Sequence, residues 1–186
     1  MKRHVILASA SPRRKDLLEA AGYSVTCVIS GVEELETDHL SPSALAIENA
    51  RRKAVAVAPD YPNDIVIAAD TVVAMDGEFF GKPADENAAL EMLLRLNGRT
   101  HEVVTGVVVS GCLAAEFSES TRVTFHKLTE PALWAYIREI HPMDKAGSYA
   151  AQNDAGRIIQ KLDGSLSNVI GLPMERLAAE IDKASR

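Results

Sequence analysis

The run Ile65-Val66-Ile67-Ala68-Ala69 limits the possible folds more than any other part of this chain. A strand with one wet face alternates apolar and polar side chains. This run does not alternate, so both of its faces must be covered, and it reads as the central strand of a sheet with helices on its two sides. The remaining segments supply such partners. Residues 5–8 form a second buried strand, followed by a helix to about Ala21 that stops at Gly22. Residues 24–29 read as another strand. Ser41-Pro42 opens a helix, with Ser as cap and Pro in the first turn, and Ile47, Ala50, Ala54 and Val57 give it an apolar stripe. A loop spans 59–64. Asp76-Gly77 marks a hairpin, and a helix over 86–96 closes at Asn97-Gly98. Residues 102–109 and 121–128 are a strand pair, and Thr129-Glu130-Pro131 starts a helix that runs to about Ile140. A strand over 157–162 and a helix over 174–184 complete the chain. Strands alternating with helices around an antiparallel middle predict one mixed-sheet α/β domain over residues 1–186.

With 186 residues, 47% hydrophobic and 25% charged, the chain has enough apolar material for one core. A formal net charge of −6 argues against nucleic-acid binding, which rests on a broad basic surface. A small anionic ligand needs only a local group of cations and stays open. Cys27 and Cys112 stand far apart in no metal-type spacing, which suggests a reducing compartment. The most apolar stretch, 103–115, is broken by Thr105, Gly106, Ser110 and Gly111. It is also shorter than the roughly 20 residues that span a bilayer. The N-terminus runs straight into a strand rather than a signal-peptide pattern. The expectation is a cytoplasmic protein with no membrane partner.

In Ala8-Ser9-Ala10-Ser11-Pro12-Arg13-Arg14 a strand breaks into a polar turn and a helix N-terminus. Backbone N–H groups and the helix dipole there favour an anion. Ser9 and Ser11 can donate hydroxyl hydrogens, and Arg13 and Arg14 can fork phosphate oxygens. The plain alternative is a helix start with two solvated arginines. Asp70 follows the buried run directly, where open α/β sheets gather ligands. A carboxylate there can bind a divalent metal, orient a water or accept its proton; it can also simply cap a turn. Thr71 beside it either meets a ligand or continues the strand. Gly81-Lys82-Pro83 is not a Walker A loop, because Gly77 is one residue too close and Pro83 stands where Ser or Thr would hold magnesium. Lys82 reads as a phosphate contact or as a solvated turn lysine. Arg51, Arg52 and Lys53 are consecutive, and helix neighbours lie about 100° apart, so at most one or two of them can face a site. Glu33-Glu34 is either surface charge or the source of one partner for Asp70 on a metal. His101-Glu102 lacks the second His of HExxH, and neither GxSxG nor GxGxxG occurs. Residues 144–152 and 168–173 receive no role from physical reasoning alone.

In their order, these segments resemble the Maf family of nucleotide pyrophosphatases. The likeness runs through Ala8 to Arg14, Arg52-Lys53-Ala54, Ala69-Asp70-Thr71-Val72-Val73 and Gly81-Lys82-Pro83. It continues through Gly98-Arg99-Thr100-His101-Glu102-Val103, Thr105-Gly106-Val107, Asp144-Lys145-Ala146-Gly147 and Asn168-Val169-Ile170-Gly171-Leu172-Pro173. The resemblance implies hydrolysis of a nucleoside triphosphate between the α and β phosphates, with a divalent cation, Mg²⁺ or Mn²⁺. It implies an α/β fold with an elongated mixed sheet flanked by helices around a cleft, similar to the inosine-triphosphate pyrophosphatase architecture, and a homodimer. It places the proton acceptor at Asp70, phosphate binding at Ser9, Arg13, Arg14, Lys53 and Lys82, and substrate specificity at Arg13, Thr71 and Gln152. Where the family often has Asp-Glu, this chain has Glu33-Glu34, and Glu34 is the better metal partner for Asp70. The 144–152 segment is similar to the branch acting on dTTP and UTP, so these and related modified pyrimidine nucleotides are the expected substrates. The alternatives are a 7-methyl-GTP-type specificity, or a nucleotide-binding regulator of septum formation without turnover. A nucleotidyltransferase using the same anion-binding elements would need an acceptor other than water.

Overall fold

The central strand extends well beyond its apolar start. In the computed structural model, which describes residues 3–37, 39–154 and 156–184, β3 spans Ile65–Met75. It lies beside β1 (His4–Leu7), which is parallel both to it and to β2 (Ser24–Cys27). Its other neighbour, β5 (Thr100–Gly111), is antiparallel and pairs without a break from Ile65↔Gly111 to Ala74↔Glu102. Val72, Val73, Ala74 and Met75 continue the β-branched and apolar pattern, so the ladder carries β3 through Asp70 and Thr71. The expected strand end before Asp70 is therefore corrected. Consecutive strand residues point to opposite faces, and the side chains of Asp70 and Thr71 leave the sheet on opposite sides.

β4 (Glu78–Phe80) lies antiparallel to β3, while β6 (Ala115–Phe125) and β7 (Ile159–Asp163) extend the sheet beyond β5. The seven strands make one mixed sheet in the order β2-β1-β3-β5-β6-β7, with β4 beside β3. β6 begins at Ala115 rather than at 121, because the β5–β6 turn falls at Gly111, whose φ is +85°. One edge of β3 is divided between two short strands. β1 pairs with it as far as Ile67, closing with the Ala8 N–H on the Ile67 carbonyl at 2.8 Å. β4 takes it up again at Val73. Among the described residues no strand pairs with that edge over 68–72, and a cleft opens there.

Helices cover both faces, as the unbroken apolar run requires. On one face α2 (Pro42–Val57) packs Ala50, Ala54 and Val57 on Ile6, Ala8, Val66, Ala68 and Val108. On the other face α1 (Pro12–Ala20) and α6 (Met174–Ala184) bring Leu18, Leu177 and Ile181 onto Val5, Leu7, Ile65 and Ile67. Further along that face α3 (Glu86–Leu96) and α4 (Glu130–Ile140) bring Leu93, Leu96, Leu133 and Ile137 onto Val73, Val103, Val123 and Phe125. Each fully buried Leu or Ile among these is worth roughly 1.5–3 kcal/mol. A short helix, α5 (Leu166–Ile170), precedes α6.

The buried side of α2 comprises Leu45, Ala46, Asn49, Ala50, Lys53, Ala54 and Val57. Ile47, expected in the apolar stripe, is only half-buried. The helix is turned so that Asn49 and Lys53 share the sheet-facing side with small alanines. Gly106 of β5, the ladder partner of Asp70, makes this possible. A Cβ there would sit 2.4 Å from the Ile47 nitrogen and from the Ala46 carbonyl carbon. Without it α2 settles close to the sheet, within reach of Asp70.

Candidate active site

The interrupted edge of β3 floors a cavity of roughly 490 Å³. Ser9, Arg13, Arg14, Glu34, Lys53, Asp70, Thr71, Lys82 and Gln152 all line it, so the residues singled out from the sequence come to one place.

On one side of β3, Asp70 meets α2. Its Oδ1 accepts from Lys53 Nζ at 2.7 Å and its Oδ2 accepts from Asn49 Nδ2 at 3.2 Å. Asn49 and Lys53 are one helical turn apart and so leave α2 on the same face. Lys53 Nζ also donates to Glu34 Oε1 at 2.7 Å and to the Ala69 carbonyl at 3.5 Å. Its three donors are thus occupied within the protein, and here it holds two carboxylates rather than standing free for phosphate. The second Glu34 oxygen accepts from Lys82 Nζ at 3.3 Å. Arg51 turns away to Glu48 and Glu116, and Arg52 donates to the Glu33 carbonyl at 3.2 Å. Lys53 is therefore the member of the basic run that enters the site.

Burial pushes the Asp70 carboxyl above its usual range against the pull of Lys53, and the charge of Glu34 adds to the rise. Burial works upward on Glu34 too, but the hydrogen bond and charge of Lys53, helped by Lys82, hold it at about 2. Two acids around one ammonium are thereby driven apart. Glu34 keeps its charge, and Asp70 becomes the stronger base.

On the other side of β3, Thr71 meets α1. Arg14 is buried and donates to the Gly171 carbonyl at 2.8 Å, to Thr71 Oγ1 at 3.0 Å and to Ser9 Oγ at 3.2 Å. The Thr71 and Thr105 hydroxyls lie 2.9 Å apart, and Thr105 donates to the Asn168 carbonyl at 3.1 Å. Thr105 has one hydrogen, so Thr71 must be the donor between them, and Thr71 retains one lone pair for anything else. Arg14 is a strut in this chain rather than a free phosphate fork. Ser9 Oγ accepts from Arg14 and, at 3.1 Å, from the Ser11 N–H, which leaves its own hydrogen for an anion. Ser11 makes no side-chain cap, so the first N–H groups of α1 also stay open to a ligand.

Arg13 bridges the two rims. Its Nη1 donates to Asp144 Oδ2 at 2.6 Å, and Lys145 Nζ reaches the other oxygen at 2.6 Å. Burial opposes them, but Lys145 and Arg13 together hold Asp144 below the usual carboxylate range. The segment beyond it makes two short turns, Ala146–Ser148 and Ala151–Asn153. The Gly147 N–H donates to the Gly81 carbonyl at 3.1 Å, and Tyr149 Oη lies 2.9 Å from His101 Nε2. These ties bring Gln152 and Lys82 to the cavity that Arg13 lines.

Asn49, Asp144 and Lys145 were not singled out from the sequence. Asn49 had a signal, an amide one turn before Lys53 on the side of the helix that carries Ala50 and Ala54. Asp144 and Lys145 stood in the motif Asp144-Lys145-Ala146-Gly147, but the pairing of Asp144 with Arg13, 131 residues away, had no local signal.

Asp70 and Glu34 clasp an ammonium between them, which is a place made for positive charge. Among the described residues no group of three His, Cys, Asp or Glu could hold a metal. This donor set fits an ion of the Mg²⁺ type, which binds through one or two carboxylates and fills its shell with water and phosphate oxygens. It does not fit a closed structural zinc site.

The family of Maf-like proteins matches residues 4–184 of this chain. A protein named dTTP/UTP pyrophosphatase from Bacillus mycoides (strain KBAB4) is 44% identical over 180 residues, covering 96% of this chain and 94% of that one. Proteins of the same name from Bacillus cereus (strain ZK / E33L) and Bacillus anthracis (strain CDC 684 / NRRL 3495) are 44% and 43% identical over 180 residues, with 96% of this chain and 94% of each covered. Among solved structures, the Staphylococcus aureus Ham1 protein aligns with a TM-score of 0.54 at 16% identity, covering 97% of this chain and 99% of that one. A HAM1 protein from Coxiella burnetii aligns with a TM-score of 0.50 at 13% identity, covering 98% and 100%. At such identities the likeness speaks for the fold alone, the mixed sheet flanked by helices around a cleft that the sequence led us to expect.

Proposed function

This chain belongs to the family of Maf-like proteins, and from that membership together with its cleft we propose that it hydrolyses dTTP, UTP and related modified pyrimidine triphosphates. Cleavage falls between the α and β phosphates and releases the monophosphate and pyrophosphate. The observation that carries this reading is a buried carboxylate, Asp70, in one cavity with Lys53, Lys82 and Arg13. Relatives at 44% identity named dTTP/UTP pyrophosphatase support the pyrimidine preference. They do not favour a 7-methyl-GTP-type specificity or binding without turnover.

A polyphosphate entering the cleft exchanges one anion for another. Arg13 turns from Asp144 to phosphate and Lys82 turns from Glu34, while the free Ser9 hydrogen and the open N–H groups of α1 receive further oxygens. A water beside Asp70 adds to phosphorus at the α–β anhydride, the bridging P–O bond breaks, and the water proton passes to an Asp70 carboxylate oxygen. An Asp held above the usual range by burial serves this step better than a solvated one. Arg13 and Lys82 balance the charge that gathers on the departing phosphate. Asp70 and Glu34 would hold a Mg²⁺ or Mn²⁺ ion, which when bound neutralises phosphate charge. A homodimer and a cytoplasmic location belong to the same reading. No described helix is long and apolar enough to cross a membrane, and sedimentation measures the dimer.

Pyrophosphate release with Mg²⁺ or Mn²⁺ across dTTP, UTP, CTP, GTP, ATP and 7-methyl-GTP tests the proposal. Release from dTTP and UTP is the expected result. Release from 7-methyl-GTP alone would keep the reaction and overturn the pyrimidine preference. Nucleotide binding with no release from any of them would overturn the reaction itself.

A further inference from the structure

Two asparagines in this protein make the same clamp. Asn97 Oδ1 accepts from the Leu128 N–H and its Nδ2 donates to the Leu128 carbonyl, both at 2.8 Å. Asn49 treats Leu35 in the same way, accepting from its N–H at 2.6 Å and donating to its carbonyl at 3.1 Å. An amide side chain matched to a peptide group ties one segment to another and needs nothing more. Asn49 differs from Asn97 in what surrounds that clamp. Its Nδ2 also donates to Asp70 Oδ2 at 3.2 Å. The residue it clamps follows directly on Glu34, which shares the Lys53 ammonium with Asp70. Asn49 is 3% exposed, so water does not stand in for these partners.

We propose that Asn49 is a positioning residue for the hydrolysis. It fixes the plane of the Asp70 carboxylate and docks the Glu34 segment against it. Lys53 alone cannot do the first. An ammonium is a point charge on a flexible stem and leaves the carboxylate free to turn about its soft terminal torsion. A second bond, from the amide to the other oxygen, removes that freedom. No regular structure does the second, because residues 28–37 lie in neither strand nor helix. The Asn49 clamp on Leu35 is part-buried behind them, whereas the Arg52 bond to the Glu33 carbonyl is exposed. Loss of the amide leaves Lys82, Arg13 and the Ser9 hydroxyl in place to receive phosphate. The damage therefore falls on the chemical step rather than on binding.

The inference rests on the pyrophosphatase reading, and its test keeps the two apart. Asn49→Ala, Asn49→Asp and Asn97→Ala are assayed in the full chain for pyrophosphate release from dTTP, beside thermal melts. Asn97→Ala is expected to lower the melting temperature with kcat unchanged. Asn49→Ala is expected to lower it similarly and to reduce kcat ~10–100-fold with KM within about threefold, the scale of a small misplacement of a reacting group. Asn49→Asp keeps the size and the acceptor for the Leu35 N–H but loses the donor to Asp70, so it reports on the same step if the alanine variant does not fold. In a double variant with Glu34→Gln, the loss in kcat is expected to fall short of the product of the single losses. A kcat within twofold of the parent in a folded Asn49 variant, or fully multiplicative losses, would overturn the positioning role while the parent remains an active pyrophosphatase. A parent that releases no pyrophosphate would remove the reading beneath it.

Discussion

On the α2 side of β3, Asp70, Glu34, Lys53 and Lys82 are all charged and share their partners, one ammonium serving two carboxylates and one carboxylate serving two ammoniums. On the α1 side, Arg14, Thr71 and Thr105 pass hydrogens in a single direction to the Asn168 carbonyl. The two arrangements respond differently to an incoming polyphosphate. Charge pairs can be redistributed, because a phosphate oxygen replaces a carboxylate oxygen at little cost. A buried line of hydroxyls cannot, because each broken bond leaves a donor or acceptor without a partner. Adjacent residues on one strand thus serve different ends, chemistry at Asp70 and fixed shape at Thr71.

The division is most open to attack at Asp70 itself. Asp70→Asn keeps the volume and removes the base, and turnover is expected to fall by ~10³-fold or more. The variant should still fold, with a somewhat lower melting temperature, since the new Nδ2 faces Asn49 or Lys53, both donors, where an oxygen accepted. A folded variant with substantial activity would place the chemistry elsewhere. Lys82→Ala should reduce kcat/KM by roughly 10-fold or more, while Lys161→Ala on β7 leaves it unchanged; equal effects would take Lys82 out of the site. Thr71→Val, nearly isosteric, breaks the hydroxyl line. It should cost about 1–2 kcal/mol of stability and only several-fold in kcat/KM. A loss as large as that of Asp70→Asn would erase the difference between the two sides.

The smallest effect is in acid. Glu34 sits at about 2 in the folded chain against an ordinary 4.5, so the unfolded chain takes up its proton first. Its stabilising contribution is complete above about 4.5 and is lost as pH falls toward 2. Asp70, shifted upward, has the opposite sign and becomes easier to bury as it protonates. Urea melts of Glu34→Gln should therefore show a shallower acid loss than the parent. A steeper one would reverse the assignment of the two acids.

The layers of the fold were legible because apolar runs and caps are local. The run 65–69 demanded two covered faces, and Asn97-Gly98 stopped α3 at Leu96 as expected. The length of β3 was not legible. An acid after five apolar residues reads as a strand end, and only the ladder to β5 shows that it is not. The set of site residues was reached through the ordered motifs, and the cavity gathers them. Their partners were hidden. That Arg13 meets Asp144, that Lys53 serves two acids and that Arg14 is a strut all depend on contacts between segments far apart in the chain.

Gly106 sets how such a chain can vary through time. It touches no phosphate and carries no charge, yet a methyl group there would collide with the backbone of α2 at Ala46 and Ile47. Such a wedge would lift the helix and carry Asn49 and Lys53 away from Asp70 together. Inheritance can therefore experiment at the exposed positions of α2, Arg51, Arg52, Val55 and Ala56, while Gly106 beneath the helix admits no side chain at all. A variant that lost activity by this route would keep every residue of the reaction and lack only the distance between them.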